Sequence, residues 1–290
     1  MCNIFYILTP VLGPVLRFIY NLVNNYGLAI ILFSIVIKLV LFPLSIKQYK
    51  STAAMKKIQP ELNKLQKKYG NDKEKLQKEQ MALYEKYGIN PMAGCLPTLI
   101  QMPILFALYR VIMMPLTYIS GISEDKVTAV AEVLKLDTKT LAANQIKLTE
   151  MLNNSATLEK VKDIIPSFSQ IDFSFLGLNL SETPHFGIPK SAAEAALWII
   201  PILAGVTSLL SSIAMNKMSG MPQNDDSQSS QMKAMTYMMP LMSVYFCFIL
   251  PAGMGIYWII NNVIAIAQQF VLNKIMFKDS DVIEGSVVKK

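Results

Sequence analysis

Residues 27 to 46, GLAIILFSIVIKLVLFPLSI, are apolar but for Ser34, Lys38 and Ser45. About 20 consecutive apolar residues are what an α-helix needs to cross a hydrocarbon core, so a first membrane span is expected over 27–48. Further apolar runs at 91–118, 195–215, 234–250 and 254–273 bring the expected spans to five. Between the first two runs the pattern changes. Over 49–90, Met55, Ile58, Leu62, Leu65 and Tyr69, then Leu76, Leu83, Tyr84 and Tyr87, return at helical intervals among lysines, which predicts a helical hairpin. Gly70 is a natural stop for its first arm, and Asn71 with Glu74 three residues later reads as a capping box opening the second. Asn90-Pro91 reads as the N-cap and first residue of the second span.

Residues 1–26 place Val15, Phe18, Ile19 and Leu22 around Arg17 and Asn21, the pattern of a short amphipathic helix lying on the membrane. The run 4–16 is several residues short of a span, and a sixth span is the alternative. This stretch has neither the positively charged start nor the small-residue cleavage site of a secretory signal. The polar segment 119–194 is expected to be helical, with Ser123-Glu124-Asp125 as a helix start and further helices over 137–152 and 155–165. No alternating strand pattern stands out there. Val127, Val130, Val133 and Leu134 recur at helical spacing and need a surface to cover them, which predicts a small helical cap over the ends of the spans. Residues 216–233 form a polar loop, 251–253 a tight turn, and 274–290 a tail. The expected fold class is an all-α polytopic membrane protein: five transmembrane helices, a cytosolic helical hairpin and an N-terminal interfacial amphipathic helix.

Composition agrees: 52% hydrophobic and 16% charged residues are not those of an ordinary soluble domain. Cys2, Cys95 and Cys247 are scattered, so neither a disulfide framework nor a metal site is expected. Cys2 follows Met1 with no apolar segment before it, so lipidation is not expected either. The net charge of +7 is a matter of placement. Residues 47–88 carry eleven lysines against five acids, whereas 119–194 carry ten acids against seven lysines. Lysine and arginine near span ends mark the cytosolic side. Hairpin and C-terminus are therefore expected in the cytosol, N-terminus and the 119–194 segment outside. The hairpin charge fits a solvated arm or a dock for ribosomal RNA or anionic lipid, and charge alone does not separate these. No DNA partner is expected.

Lys38 is the residue that does not belong in an apolar span. A lysine near the bilayer centre costs on the order of 2.5–3.5 kcal/mol on insertion scales. The bland alternative is snorkelling, but the polar boundary at Lys47 lies nine residues on. At 1.5 Å per residue that is about 13 Å, beyond the reach of one lysine stem. A hydrated pocket is expected instead, with Ser34 one turn earlier on the same face. The other polar groups in the spans are Gln101, Asn261, Asn262, Gln268 and Gln269, with the amphipathic Tyr257 and Trp258. Gln268 and Gln269 fit interhelical hydrogen bonds. Arg110 is expected to snorkel toward the nearer end of its span. The expected spans contain no His and no Asp, which argues against an intramembrane protease and against carboxylate-based proton coupling. No catalytic residue, cofactor or metal is expected. The methionines of the later spans suit a surface that meets varied apolar segments.

Four stretches carry a resemblance: NNYGLAIILFSIVIKLVLFPLSIKQYKS, EQMALYEKYGINPMAGCLPTLIQMPILFALY, WIIPILAGVTSLLSS and MTYMMPLMSVYFCFILPAGMGIYWIINNVIAIAQQ. They cover most of 10–118 and 173–276 and resemble the YidC-type membrane-protein insertases of bacteria, mitochondria and chloroplasts, with the length of a Gram-positive, clostridium-like member. The resemblance implies a five-helix core in a bacterial cell membrane, with a hydrophilic groove open to cytosol and lipid. It implies an insertase and chaperone for nascent membrane proteins, with the ribosome, the general secretion channel and membrane lipids as partners. By position, Lys38 falls where most relatives have the groove arginine, and Ser34, Gln101, Trp258 and Asn261 fall at or near groove and substrate-contact positions. Two departures stand out. Lysine lacks the bidentate fork of arginine, and residues 122–170 exceed the family's usual external connection. The rival readings are a small-solute channel or transporter using Lys38 as an anion site, and a purely structural assembly factor.

Overall fold

A computed structural model describes residues 4–89, 96–137, 145–219 and 227–287. The chain forms two compact units. The first comprises Met1–Ile37, Met102–Ser208 and Met238–Asn262, the second Lys38–Gln101, Leu209–Tyr237 and Val263–Lys290. In chain order the helices are α1 Ile4–Val23, α2 Tyr26–Val40, α3 Phe42–Tyr69, α4 Lys73–Lys86, α5 Leu96–Met113, α6 Pro115–Tyr118 and α7 Glu124–Val133. There follow α8 Ile146–Leu152, α9 Ser155–Glu159, α10 Ala192–Leu197, α11 Ile199–Ser219, α12 Ser227–Cys247 and α13 Ala252–Val287.

Two helical stretches, Ala192–Asn216 and Ala252–Lys274, are each long and apolar enough to cross a membrane. Tyr26–Val40 and Phe42–Ser51 make a third if counted together, bent by 56° at their junction. Pro43 near the start of α3 accounts for the bend, because its ring clashes with the carbonyl of Leu39 and it lacks an amide donor. The expected 91–118 span appears as the shorter apolar helix Met102–Met113 within α5, and Asn90-Pro91 lies outside the described residues. Residues 234–250 fall largely on α12.

The first unit has two cores. In one, Leu16 of α1, Tyr26, Ile30 and Phe33 of α2, and Ile112 of α5 are buried together with Tyr257 of α13. Tyr26 is completely enclosed, and its hydroxyl donates to the Ile112 carbonyl at 2.6 Å. Helix α1 turns Leu12, Leu16, Ile19 and Tyr20 inward and leaves Val11, Phe18 and Leu22 exposed beside Arg17 and Asn21. Its Arg17 donates to the carbonyls of Thr117 and Tyr118, capping the end of α6. The second core lies in the segment expected to form a cap: Leu116, Val127, Val130, Leu148, Leu152 and Ile165 close over one another, with Val133 left half exposed. Within it, Gln145 and Thr117 exchange two hydrogen bonds at 2.9 and 3.0 Å. Arg110 pairs with Glu124 at 2.7 Å, so this cation ends its reach on a carboxylate.

Residues 119–194 are not wholly helical. Ser174–Phe175 and Leu178–Asn179 pair as a small antiparallel ladder, turning through Leu176 and Gly177, both with positive φ. A leucine in that conformation is unfavourable, which is why no Asn-Gly-like signal announced the turn. Helices α8 and α9 are shorter than the stretches 137–152 and 155–165 expected of them; residues 138–144 lie outside the described set.

The same segment clasps the first turns of α2 and α13. Tyr26 N donates to the Asp172 carbonyl (2.9 Å), Gly253 N to Leu180 (3.1 Å) and Ala252 N to Glu182 (2.8 Å). Asn25 Nδ2 donates to the Ser174 carbonyl at 2.6 Å and to the Asp172 carboxylate at 3.0 Å. Hydrogen bonds from the Ser174 side chain and backbone and from Asn25 hold the Asp172 carboxyl below its usual range. A Cβ on Gly27 would lie 2.6 Å from Phe175, so this close approach requires glycine.

In the second unit α3 and α4 form the hairpin, closed by Ile58, Leu62 and Leu83. The cap of α4 is Asp72, one residue later than the expected Asn71: its carboxylate accepts from Lys75 N at 3.1 Å. Tyr87 donates its hydroxyl to Glu61, tying the arms together.

Candidate functional site

Ser34 and Lys38 lie one turn apart along α2, where the apolar run keeps the helix unbroken as far as Val40. Ser34 is buried, 2% exposed, and its hydroxyl donates to the Ile30 carbonyl at 2.7 Å. That bond engages its only proton, so Ser34 meets a further group as an acceptor. Lys38 is half-buried in the second unit, and among the described residues no carboxylate pairs with its ammonium. Its backbone carbonyl accepts a long hydrogen bond, 3.4 Å, from Gln268, so this glutamine does join two helices. Gln101 lies on α5, but its side chain is outside the described residues.

Trp258 and Asn261 lie on α13 in the first unit, and both are half-buried. The Trp258 ring packs against Phe246 of α12 with centroids 6.0 Å apart. Among the described residues no hydrogen bond joins Ser34, Trp258 and Asn261 to one another. The polar contact of this region involves the neighbour instead: Asn262 donates to Thr207 of α11 at 3.4 Å. Close by in sequence, Ser243 of α12 meets Ser208 at 3.4 Å. Thr207, Ser208 and Ser243 form a line of hydroxyls linking α11, α12 and α13 that the sequence reading passed over. Adjacent hydroxyls inside an apolar run were the available signal, because buried hydroxyls in lipid need partners.

Helices α11 and α12 leave broad apolar surfaces uncovered. Ile199, Ile202, Leu203, Val206 and Leu210 are exposed on α11 at helical spacing. On α12, Met238, Met239 and Met242 are exposed beside Leu241 and Tyr245, whereas Met113, Met114 and Met254 are buried. So only part of the methionine set forms a surface. The described residues contain no cluster of His, Cys, Asp or Glu that would hold a metal. Taken residue by residue, the described residues offer a cation without a carboxylate partner among them, a few hydroxyl and amide groups, and much apolar surface.

The sequence model of the 60Kd inner membrane protein family matches residues 18–279. The membrane protein insertase YidC of Fusobacterium nucleatum is 32% identical over 94% of this chain and 98% of its own length. The membrane protein insertase MisCA of Bacillus subtilis is 33% identical over 86% of this chain and 70% of its own. With YidC of Rickettsia bellii the identity is 32% over 93% of this chain, which spans only 39% of that longer relative. With a family model matched over nine-tenths of its residues and one relative matched almost end to end, this chain belongs to the YidC family of membrane protein insertases, the 60Kd inner membrane proteins.

Proposed function

We propose that this chain is a membrane protein insertase that gives the translocated segment of a nascent protein a hydrated path partway into the bilayer. The observation that carries this reading is the likeness to the Fusobacterium insertase over almost the whole of both chains. In the proposed mechanism Lys38, Ser34, Gln101, Trp258 and Asn261 line a groove open to cytosol and lipid. Water and one positive charge at that depth lower the desolvation cost of a polar or acidic tail. The apolar helix of the substrate then slides along the second and fourth spans into lipid, driven by burial at about 25 cal/mol per Å² of apolar surface. The proposed topology has five spans in a bacterial plasma membrane, N-terminus outside, hairpin and C-terminus in the cytosol. The lysine-rich hairpin would recruit ribosomes or anionic lipid, and the general secretion channel is a further candidate partner. The work is non-enzymatic and uses no cofactor.

The test is reconstitution. Purified protein in liposomes should insert a single-span substrate, read by protection from added protease. Flux of small anions without insertion would favour a channel using Lys38 as its anion site and would overturn this reading.

A further inference from the structure

Residues 183–190, TPHFGIPK, connect two fixed points. On one side Ala252 and Gly253, the first residues of the span Ala252–Lys274, hydrogen-bond to the carbonyls of Glu182 and Leu180. On the other, the span Ala192–Asn216 begins two residues after Lys190. Both ends of the connection are thereby held where a membrane span starts, so the loop lies at the level of the membrane–water boundary.

At that level the loop turns apolar side chains outward. Phe186 is 65% exposed and Ile188 is 94% exposed, with Gly187 between them at φ +132°. A freely hydrated loop has no use for two such neighbours. One face of Phe186 stacks on Phe248 with centroids 4.0 Å apart, and Phe248 meets Trp198 edge-on at 5.4 Å. Trp198 lies in the second turn of its span, where aromatic rings gather at a bilayer interface. A cavity of about 630 Å³ is lined by the loop together with Lys147, Glu150, Glu194 and Trp198. His185 and Lys190, both exposed, flank the apolar pair with groups suited to headgroup phosphates.

We propose that the loop of residues 183–190 is a membrane anchor that inserts Phe186 and Ile188 into the boundary between lipid headgroups and acyl chains. The occupant of this surface is the bilayer, because both loop ends are tethered to span starts and the exposed apolar pair continues the aromatic layer of Trp198 and Phe248. The anchor would fix the depth of both spans and is independent of the groove.

Spin labelling tests this. Ile188→Cys and, as a hydrated reference, Glu132→Cys are placed in a full-length background carrying Cys2→Ser, Cys95→Ser and Cys247→Ala, then reconstituted in phosphatidylethanolamine–phosphatidylglycerol vesicles. The ratio of collisions with oxygen to collisions with a water-soluble nickel chelate should be at least about tenfold higher at 188 than at 132, as for a side chain a few ångströms below the headgroups. Equal ratios would overturn the proposal. So would shielding of 188 from both reagents, which would mean that protein covers the site. A second measurement uses the unaltered chain with a lipid bearing a diazirine just below its headgroup: photolysis should place adducts on Phe186 and Ile188, and their absence in the presence of adducts on α11 would overturn it.

Discussion

At the scale of single residues, the proposed mechanism rests on Lys38, a charge that no carboxylate among the described residues pairs with. If the positive charge of Lys38 matters more than its shape, Lys38→Arg retains insertion. Lys38→Ala or Lys38→Glu then lowers insertion of acidic-tailed substrates about tenfold, ~1.4 kcal/mol, measured by protease protection in liposomes. Equal insertion by the unaltered protein and Lys38→Glu would remove the charge from the mechanism. Asp172 supports a second expectation. Its carboxyl is held below the usual range chiefly by the Ser174 side chain, with Asn25 contributing, so it stabilises the fold most fully above the ordinary carboxylate range. That contribution is lost as pH falls through the lowered value. Thermal unfolding in detergent, followed from pH 7 downward, should show a smaller acid loss for Asp172→Asn than for the unaltered protein. Lys38 was legible in the sequence because a charge in an apolar run is conspicuous. The Asn262–Thr207 contact was not, since an amide and a hydroxyl 55 positions apart declare nothing about each other until their helices pack.

At the scale of elements, the α3–α4 hairpin has its own small core and its own polar clasp. Ile58 is 1% exposed, and Ile58→Ala should cost roughly 2–5 kcal/mol of hairpin stability. Hydrogen exchange would show this as lost protection in α3 and α4, with α11 and α13 unchanged. Deleting residues 56–84 should leave the spans folded and the protein in the membrane, but reduce insertion in cells. A deletion protein that fails to accumulate would make the hairpin part of the membrane fold. Its helices were readable from periodicity, and the cap differs by a single residue because Asp72, not Asn71, has the backbone geometry that lets a side-chain oxygen meet a free amide. The strand pair at 174–179 was invisible, because its turn places Leu176 where glycine or asparagine would have been the cue.

At the scale of the whole molecule, residues 119–194 divide into two parts with different consequences. The apolar side chains of the cap close mainly on one another, and Ile146, the Arg110–Glu124 pair and Asn153, whose amide donates to the Ile171 carbonyl, tie it to the other core. Replacing 122–170 by a Gly/Ser linker should leave insertion of a simple single-span substrate near that of the unaltered protein. A complete loss, with the protein present and correctly oriented, would place the cap in the mechanism. Extending the replacement to 182 removes the buried Phe173 and Leu180 and the carbonyls of Asp172, Leu180 and Glu182 that accept from the starts of α2 and α13. That variant should fail to accumulate, as read by membrane fractionation.

The sequence alone determined what depends on neighbours along the chain. An apolar run long enough to span, a lysine inside it, a 3.6-residue rhythm and a lysine excess are all local, and each carries its physical consequence wherever the chain goes. Tertiary structure decided what depends on residues far apart in sequence. Asn25 meets Asp172 and Ser174 across nearly 150 positions, and Arg17 meets the end of α6 across 100. Ala252 and Gly253 at the start of α13 meet the carbonyls of Glu182 and Leu180, which sets the loop of Phe186 and Ile188 beside that helix end. Such pairings come from packing and from backbone groups that must find partners away from water, and neither requirement leaves a mark on the composition of any single segment.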